Sequence, residues 1–213
     1  MTLRIGIDVG GTFTDFALYD HDRTYLATDK VLTTPTDPVR GILTGLDSLL
    51  AETNLPPRVF WGSTVVHGTT LATNSLIERK GAKTALITTE GARDVLETGR
   101  ENRYDPYKRF LRRAKALIPR HLRRTITERV RQDGTTQTPI DVAALEEILK
   151  QLHAESVESI AVCLLNSYVA REHEDQVRTK VKELGINIPV SLSADIAPSI
   201  GEFVRTTTVA ANA

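Results

Sequence analysis

The stretch Asp8-Val9-Gly10-Gly11-Thr12-Phe13-Thr14-Asp15 sets two adjacent glycines between two acids and beside two hydroxyls. Consecutive glycines carry no side chains to obstruct an oxyanion, so backbone N–H groups can come close to phosphate oxygens. Thr12 and Thr14 add hydroxyl donors. Asp8 closes an apolar run and can hold a hydrated magnesium ion, which favours one or two carboxylates plus waters and phosphate oxygens. A plain hairpin would use the same glycines for positive φ and leave the acids solvated. Such a turn has no need of the Thr-x-Thr-Asp continuation, and the complete string points to phosphate.

A second constellation, His67-Gly68-Thr69-Thr70-Leu71-Ala72-Thr73-Asn74, opens a helical pattern. Free N–H groups and the positive dipole end make a helix N-terminus an anion site, and Gly68, Thr69 and Thr70 present it with little bulk. Capping is the competing account, since Thr69 or Thr70 can satisfy the helix's own first N–H groups. His67 and Asn74 are not needed for a cap.

The elements that must position these residues follow from periodicity. Two strands, 3–9 and 13–19, flank Gly10-Gly11-Thr12, and so short a connection makes them an antiparallel hairpin. A third strand is expected at 24–33. Asp37 then caps a helix with Pro38 at its first position and an apolar stripe of Ile42, Leu43, Leu46, Leu49 and Leu50. A strand at 58–61 leads toward the His67 motif, whose helix runs to about Lys80 and is ended by Gly81. Another strand covers 83–88. From 140 onward a helix at 141–153, a buried strand at 159–165, a helix at 171–184 and a strand at 188–192 alternate as in a parallel sheet with helical crossovers. The last residues, 206–213, read as the first turn of a further element.

Composition restricts the classes. The chain has 213 residues, with 27 Lys+Arg against 27 Asp+Glu, so no global field draws it to nucleic acid or anionic lipid. No apolar window reaches membrane-span length and no signal peptide is evident, which suggests a cytoplasmic protein. The single cysteine, Cys163, sits in an apolar run and excludes an internal disulfide; it reads as a core residue. Between 100 and 131, bases outnumber acids. With few aromatics to stack on bases, that stretch suggests a solvated helix face or a surface for an acidic partner more than a nucleic-acid site.

The residues from Ile5 to Asp15, the His67 motif, and the run Lys80-Gly81-Ala82-Lys83-Thr84-Ala85-Leu86-Ile87-Thr88-Thr89-Glu90-Gly91 together resemble the N-terminal region of the hydantoinase A and 5-oxoprolinase family. That family includes ATP-dependent acetone and acetophenone carboxylase subunits and lies within the actin, sugar kinase and heat-shock ATPase superfamily. Gly201-Glu202-Phe203-Val204-Arg205-Thr206-Thr207-Thr208 is similar to the family's Glu-aromatic-x-Arg-x-x-Thr segment.

The resemblance implies an α/β fold, a ribonuclease-H-like ATPase lobe with a mixed sheet, plus a βαβα portion. It divides the chain into a phosphate-binding lobe at 1–100, a basic connecting segment at 101–139 and the βαβα portion at 140–213. It implies ATP and Mg²⁺ as cofactors, with a carbonyl oxygen activated by phosphorylation before attack by water or a carbon nucleophile. Asp8 would position the metal; Gly10, Gly11, Thr12 and Thr14 would hold phosphate. Asp15 would orient metal-bound waters or the attacking group, and His67, Thr69, Thr70 and Asn74 would meet the substrate or its phosphate. The substrate expected is a cyclic amide, with a ketone for carboxylation as the alternative, and a hydantoinase B-like subunit or domain as partner. A small-molecule kinase lobe and a non-catalytic nucleotide-binding module are the remaining alternatives. The second phosphate loop and adenosine pocket of the superfamily are not recognisable, so the chain by itself is expected to be a part of a longer enzyme and to bind ATP weakly or not at all.

Overall fold

The structure is a computed structural model that describes residues 3–34, 37–100, 107, 109–110 and 115–213. Two compact units divide at Lys80 and Gly81. This differs from the boundaries at 100 and 139 expected above, because the strand at 83–88 pairs with the later strands and not with the first sheet.

In the first unit, β1 (Leu3–Val9), β2 (Phe13–Asp20) and β3 (Tyr25–Leu32) form an antiparallel meander. α1 (Pro38–Thr53) covers one face. Asp37 accepts a hydrogen bond from the Arg40 N–H at 3.2 Å and Pro38 occupies the first turn, as the sequence predicts. Leu3, Ile5, Ile7 and Val9 alternate into the core with Phe16, Leu18 and Leu49. Gly45 of α1 lies against the Phe16 ring, where a Cβ would come within 2.2 Å of it. Leu43, expected on the buried stripe, is exposed instead, and the two small residues Gly41 and Gly45 take up the contact.

The strand expected at 58–61 is a 3₁₀ turn, Pro57–Phe60, started by the Pro56-Pro57 pair. The strand that follows is β4 (Thr64–Thr69), parallel to β1, so the sheet order is β3-β2-β1-β4. α2 (Leu71–Glu78) ends at Arg79 in the left-handed region, φ 55°, two residues before Gly81.

The second unit is built on a parallel sheet of order β10-β9-β5-β6, from β5 (Thr84–Thr89), β6 (Arg123–Ile126), β9 (Ser159–Cys163) and β10 (Val190–Leu192). Helices α4 (Val142–Ala154) and α5 (Glu172–Glu183) are the crossovers, and β7 (Arg129–Val130) with β8 (Thr136–Thr138) forms a small hairpin. A short α3 (Val95–Thr98) follows β5, α6 (Ser193–Ile196) follows β10, and α7 (Glu202–Asn212) makes a full helix of the tail that reads as a first turn only. The core is larger here and includes Cys163, as expected.

Buried polar groups tie this sheet to its helices. Glu174, fully enclosed, accepts hydrogen bonds from the Leu164 N–H at 2.9 Å, the Ala194 N–H at 2.9 Å and Ser193 Oγ at 2.7 Å. Arg205 of α7 is buried too and donates to Leu164 O at 2.6 Å. Each satisfies the rule that a buried charge needs partners.

Three of the described bases of the 100–131 stretch pair with acids of the same unit. Arg123, 1% exposed, bonds Ile118 O and Glu97; Arg120 pairs with Asp94 at 2.9 Å; Arg124 pairs with Glu155 at 2.5 Å. They lie on a 3₁₀ turn and on β6 rather than on the expected helix face. Glu101, Asn102, Arg103, Tyr104, Asp105, Lys108, Arg112 and Arg113 lie outside the described residues.

Candidate functional site

The first unit brings the two motifs side by side. Asp8 on β1 is registered between Asp15 on β2 and Gly68 on β4. Strand alternation puts all three on the sheet face opposite α1. Small residues leave an open concavity of about 690 Å³ on that face, lined by Gly6, Asp8, Asp15, Ala17, Lys30 and Gly68 among others. Lys30 Nζ lies 3.0 Å from Asp15 Oδ1 and 4.9 Å over the Phe13 ring. Its cation therefore serves Asp15. Among the described residues Asp8 has no such cation, and its carboxylate is available to a ligand.

Beyond Asp8 the chain turns through Gly10-Gly11-Thr12, closed by the Gly10 N–H donating to Phe13 O at 2.9 Å. Neither glycine has positive φ. Room is what they provide: a Cβ on Gly10 would lie 2.8 Å from Phe13 O, and one on Gly11 would lie 2.8 Å from Asn74 Nδ2. Among the described residues the Gly11 and Thr12 N–H groups find no acceptor, and both residues are exposed. Two adjacent free donors at an exposed turn are the kind of group that can receive an anion.

The His67 motif flanks this turn. The Thr70 N–H donates to Val9 O at 3.1 Å, and Thr69 Oγ1 donates to the same oxygen at 3.2 Å. Thr69 Oγ1 also accepts from the Leu71 N–H at 3.2 Å, so the capping account holds for this residue. Asn74 Nδ2 donates to Thr70 Oγ1 at 3.3 Å and covers Gly11.

Two expected site residues lie apart from this cluster. Thr14 is 1% exposed, on the α1 face, with its hydroxyl 3.0 Å from Thr33 Oγ1. His67 is registered with Ile7, which puts it on the face opposite Asp8. Asp8, Asp15, Gly10, Gly11, Thr12, Thr70 and Asn74 do cluster. Sequence reading missed Thr33 and Lys30, because strand pairing across the meander, not local spacing, brings them in. Among the described residues no group of three or more His, Cys, Asp or Glu side chains could hold a metal, and no helix is long and apolar enough to cross a membrane.

A family model described as the hydantoinase/oxoprolinase N-terminal region matches residues 4–185. The alpha subunit of caprolactamase from Pseudomonas jessenii is 33% identical over 99% of this chain and 31% of its own length. The gamma subunit of acetophenone carboxylase from Aromatoleum aromaticum is 32% identical over 98% of this chain and 30% of its own. Among solved structures, the ATP-dependent caprolactamase of Pseudomonas jessenii superposes with a TM-score of 0.82 at 33% identity, over 99% of this chain and 31% of that one. Nucleotide-free acetone carboxylase, from work on ATP-dependent acetone carboxylation, gives 0.82 at 30% identity, over 97% and 31%. The chain thus spans less than a third of these relatives. It belongs to the hydantoinase/oxoprolinase N-terminal region family.

Proposed function

We propose that this chain provides the phosphate-binding part of an ATP-dependent enzyme that opens a cyclic amide. The observation that carries the reading is the bare Gly10-Gly11-Thr12 turn, with two unbonded N–H groups beside the Asp8 carboxylate. The fit to a magnesium nucleotide is good on chemical grounds. Among the described residues the Gly11 and Thr12 N–H groups are unbonded at an exposed turn, and one carboxylate suits an ion that retains most of its waters.

Gly11, Thr12 and the Thr12 hydroxyl would hold phosphate oxygens, and Asp8 would hold Mg²⁺ through its waters. When bound, ATP would supply the phosphoryl group that converts an amide oxygen into a leaving group. The chain's own contribution is placement and charge. Lys30 pairs with Asp15 beside Asp8, and Thr70 and Asn74 bound the turn on the far side. His67 is assigned no part in this centre, since it lies on the other face.

Ketone carboxylation is the second reading, supported by the superposition on acetone carboxylase with the same TM-score as the lactam hydrolase. A partner of the hydantoinase B type fits both, as the matched relatives are named as subunits.

Calorimetry with MgATP on the intact parent subunit tests the site. Asp8→Ala is expected to weaken binding about tenfold or more, the scale of a lost charged contact, while His67→Asn leaves it within about twofold. Binding unchanged by Asp8→Ala would remove the metal assignment. Product analysis then separates the reactions: ring opening with phosphate release for the amide reading, a carboxylated ketone for the second, and a stable phosphorylated product for a kinase.

A further inference from the structure

Thr33, the residue after β3, touches the glycine turn twice and β2 once. Its N–H donates to Thr12 O at 3.0 Å, its Oγ1 donates to Gly10 O at 2.9 Å, and its Oγ1 lies 3.0 Å from Thr14 Oγ1. A hydroxyl has one proton to give. With that proton on Gly10 O, the bond between the two threonines runs from Thr14 to Thr33. Thr14 is then a buried support for Thr33, which accounts for a hydroxyl at that position without any contact to ligand.

The Gly10 carbonyl and the Gly11 N–H belong to one planar peptide unit. In a trans peptide they point in opposite directions. Holding Gly10 O toward Thr33 therefore turns the Gly11 N–H away from Thr33 and off the strand ends. The Gly10 N–H bond to Phe13 O fixes the preceding peptide only. Between two residues without Cβ atoms the 10–11 unit has little else to stop it rotating.

We infer that Thr33 is a positioning residue, which locks the Gly10–Gly11 peptide plane so that the Gly11 N–H stays presented to a phosphate oxygen. The inference rests on the phosphate reading above and adds to it the group that makes the cradle rigid. The neighbouring Thr34 has a different task. Its Oγ1 donates to Asp37 O at 2.5 Å and accepts from the Gly41 N–H at 3.1 Å, at the start of α1.

The test follows the Gly11 amide by NMR in the ¹⁵N-labelled intact parent subunit, without nucleotide and during titration with MgATP, for wild type, Thr33→Ser, Thr33→Val and Thr34→Val. Thr33→Ser is expected to keep the wild-type Gly11 resonance and an affinity within about threefold, whereas Thr33→Val shifts or broadens that resonance before nucleotide is added and weakens binding about tenfold. Thr34→Val should lower Tm and leave Gly11 in place. An unchanged Gly11 resonance and affinity in Thr33→Val overturns the inference. If Thr33→Val does not fold, the wild type decides: a slowly exchanging Thr33 hydroxyl proton with a cross-peak to the Gly10–Gly11 region supports the lock, and a hydroxyl that exchanges like free threonine refutes it. A wild-type Gly11 amide unmoved by MgATP, with the resonance still displaced in Thr33→Val, would leave the lock standing and sink the phosphate reading alone.

Discussion

Gly10 and Gly11 are close neighbours with different constraints, and the difference can be measured. An added methyl at Gly10 meets the Phe13 carbonyl, a backbone atom that cannot move without opening the hairpin. At Gly11 it meets the end of the Asn74 side chain, which can swing away. Gly10→Ala is therefore expected to destabilise the first unit by about 1–3 kcal/mol, the scale of overpacking. Gly11→Ala should cost less stability, and Asn74→Ala in the same chain should relieve part of that cost. Chemical denaturation of the two single variants and the double variant checks this, and equal costs for Gly10→Ala and Gly11→Ala would refute it. The sequence makes this turn legible because glycine pairs are rare enough in strands to stand out. It does not show why they are there: φ is negative at both, and the crowding at Gly11 comes from Asn74, sixty-three residues away. Thr33 was hidden for the same reason. A threonine at a strand end carries no mark that its hydroxyl will meet a carbonyl 23 residues earlier.

At the scale of elements, legibility tracks burial. β1 alternates buried and open positions because α1 covers one face only, whereas β5 and β9 are buried almost throughout and carry an apolar run at their centres. β4 is exposed along its whole length, so Thr-Val-Val-His-Gly-Thr carries no periodic signal and the strand is expected too early, at 58–61. The short α6 is likewise held by charge rather than by an apolar stripe. Asp195 in α6 receives a hydrogen bond at 2.7 Å from Arg171, which precedes α5, and another from Arg178 within α5. Partial burial pushes the Asp195 carboxyl up, but the two guanidinium groups outweigh it and hold the pKa below the ordinary value. The hydrogen bond from Arg171 lowers Asp175 in the same way. A carboxyl depressed in the folded state adds stability above its unfolded pKa, near 3.9, and loses it as pH falls through the folded value. These side chains are about two-fifths exposed, so screening keeps the contribution to about 1 kcal/mol at most. Asp195→Asn should thus lower the Tm of the second unit slightly at pH 7, and the gap to wild type should close between about pH 4 and pH 2. A gap that persists at the acid end would mean the effect is not ionic.

Taken whole, the chain has two cores with no residue in common: Leu3, Ile5, Ile7, Val9, Phe16, Leu18, Ala27 and Leu49 in the first unit, and a cluster more than twice as large around β5 and β9 in the second. Buried apolar area scales with that difference, and small cores are the marginal ones. The first unit also carries an edge strand and a helix, β4 and α2, without a buried side chain. Heating is therefore expected to melt the chain in two steps, the phosphate turn being lost in the lower one. Leu18→Ala should move the lower transition and Leu149→Ala the upper, each by about 2–5 kcal/mol of local stability. Calorimetry resolves the steps, and hydrogen exchange assigns them, with amides of β5 and β9 protected beyond those of β1. Protection of the glycine-turn amides should vanish at the first step while the second unit remains folded. One transition shifted by both variants would show instead that the two cores melt as a single cooperative body, and the glycine turn would then draw on the stability of the whole chain.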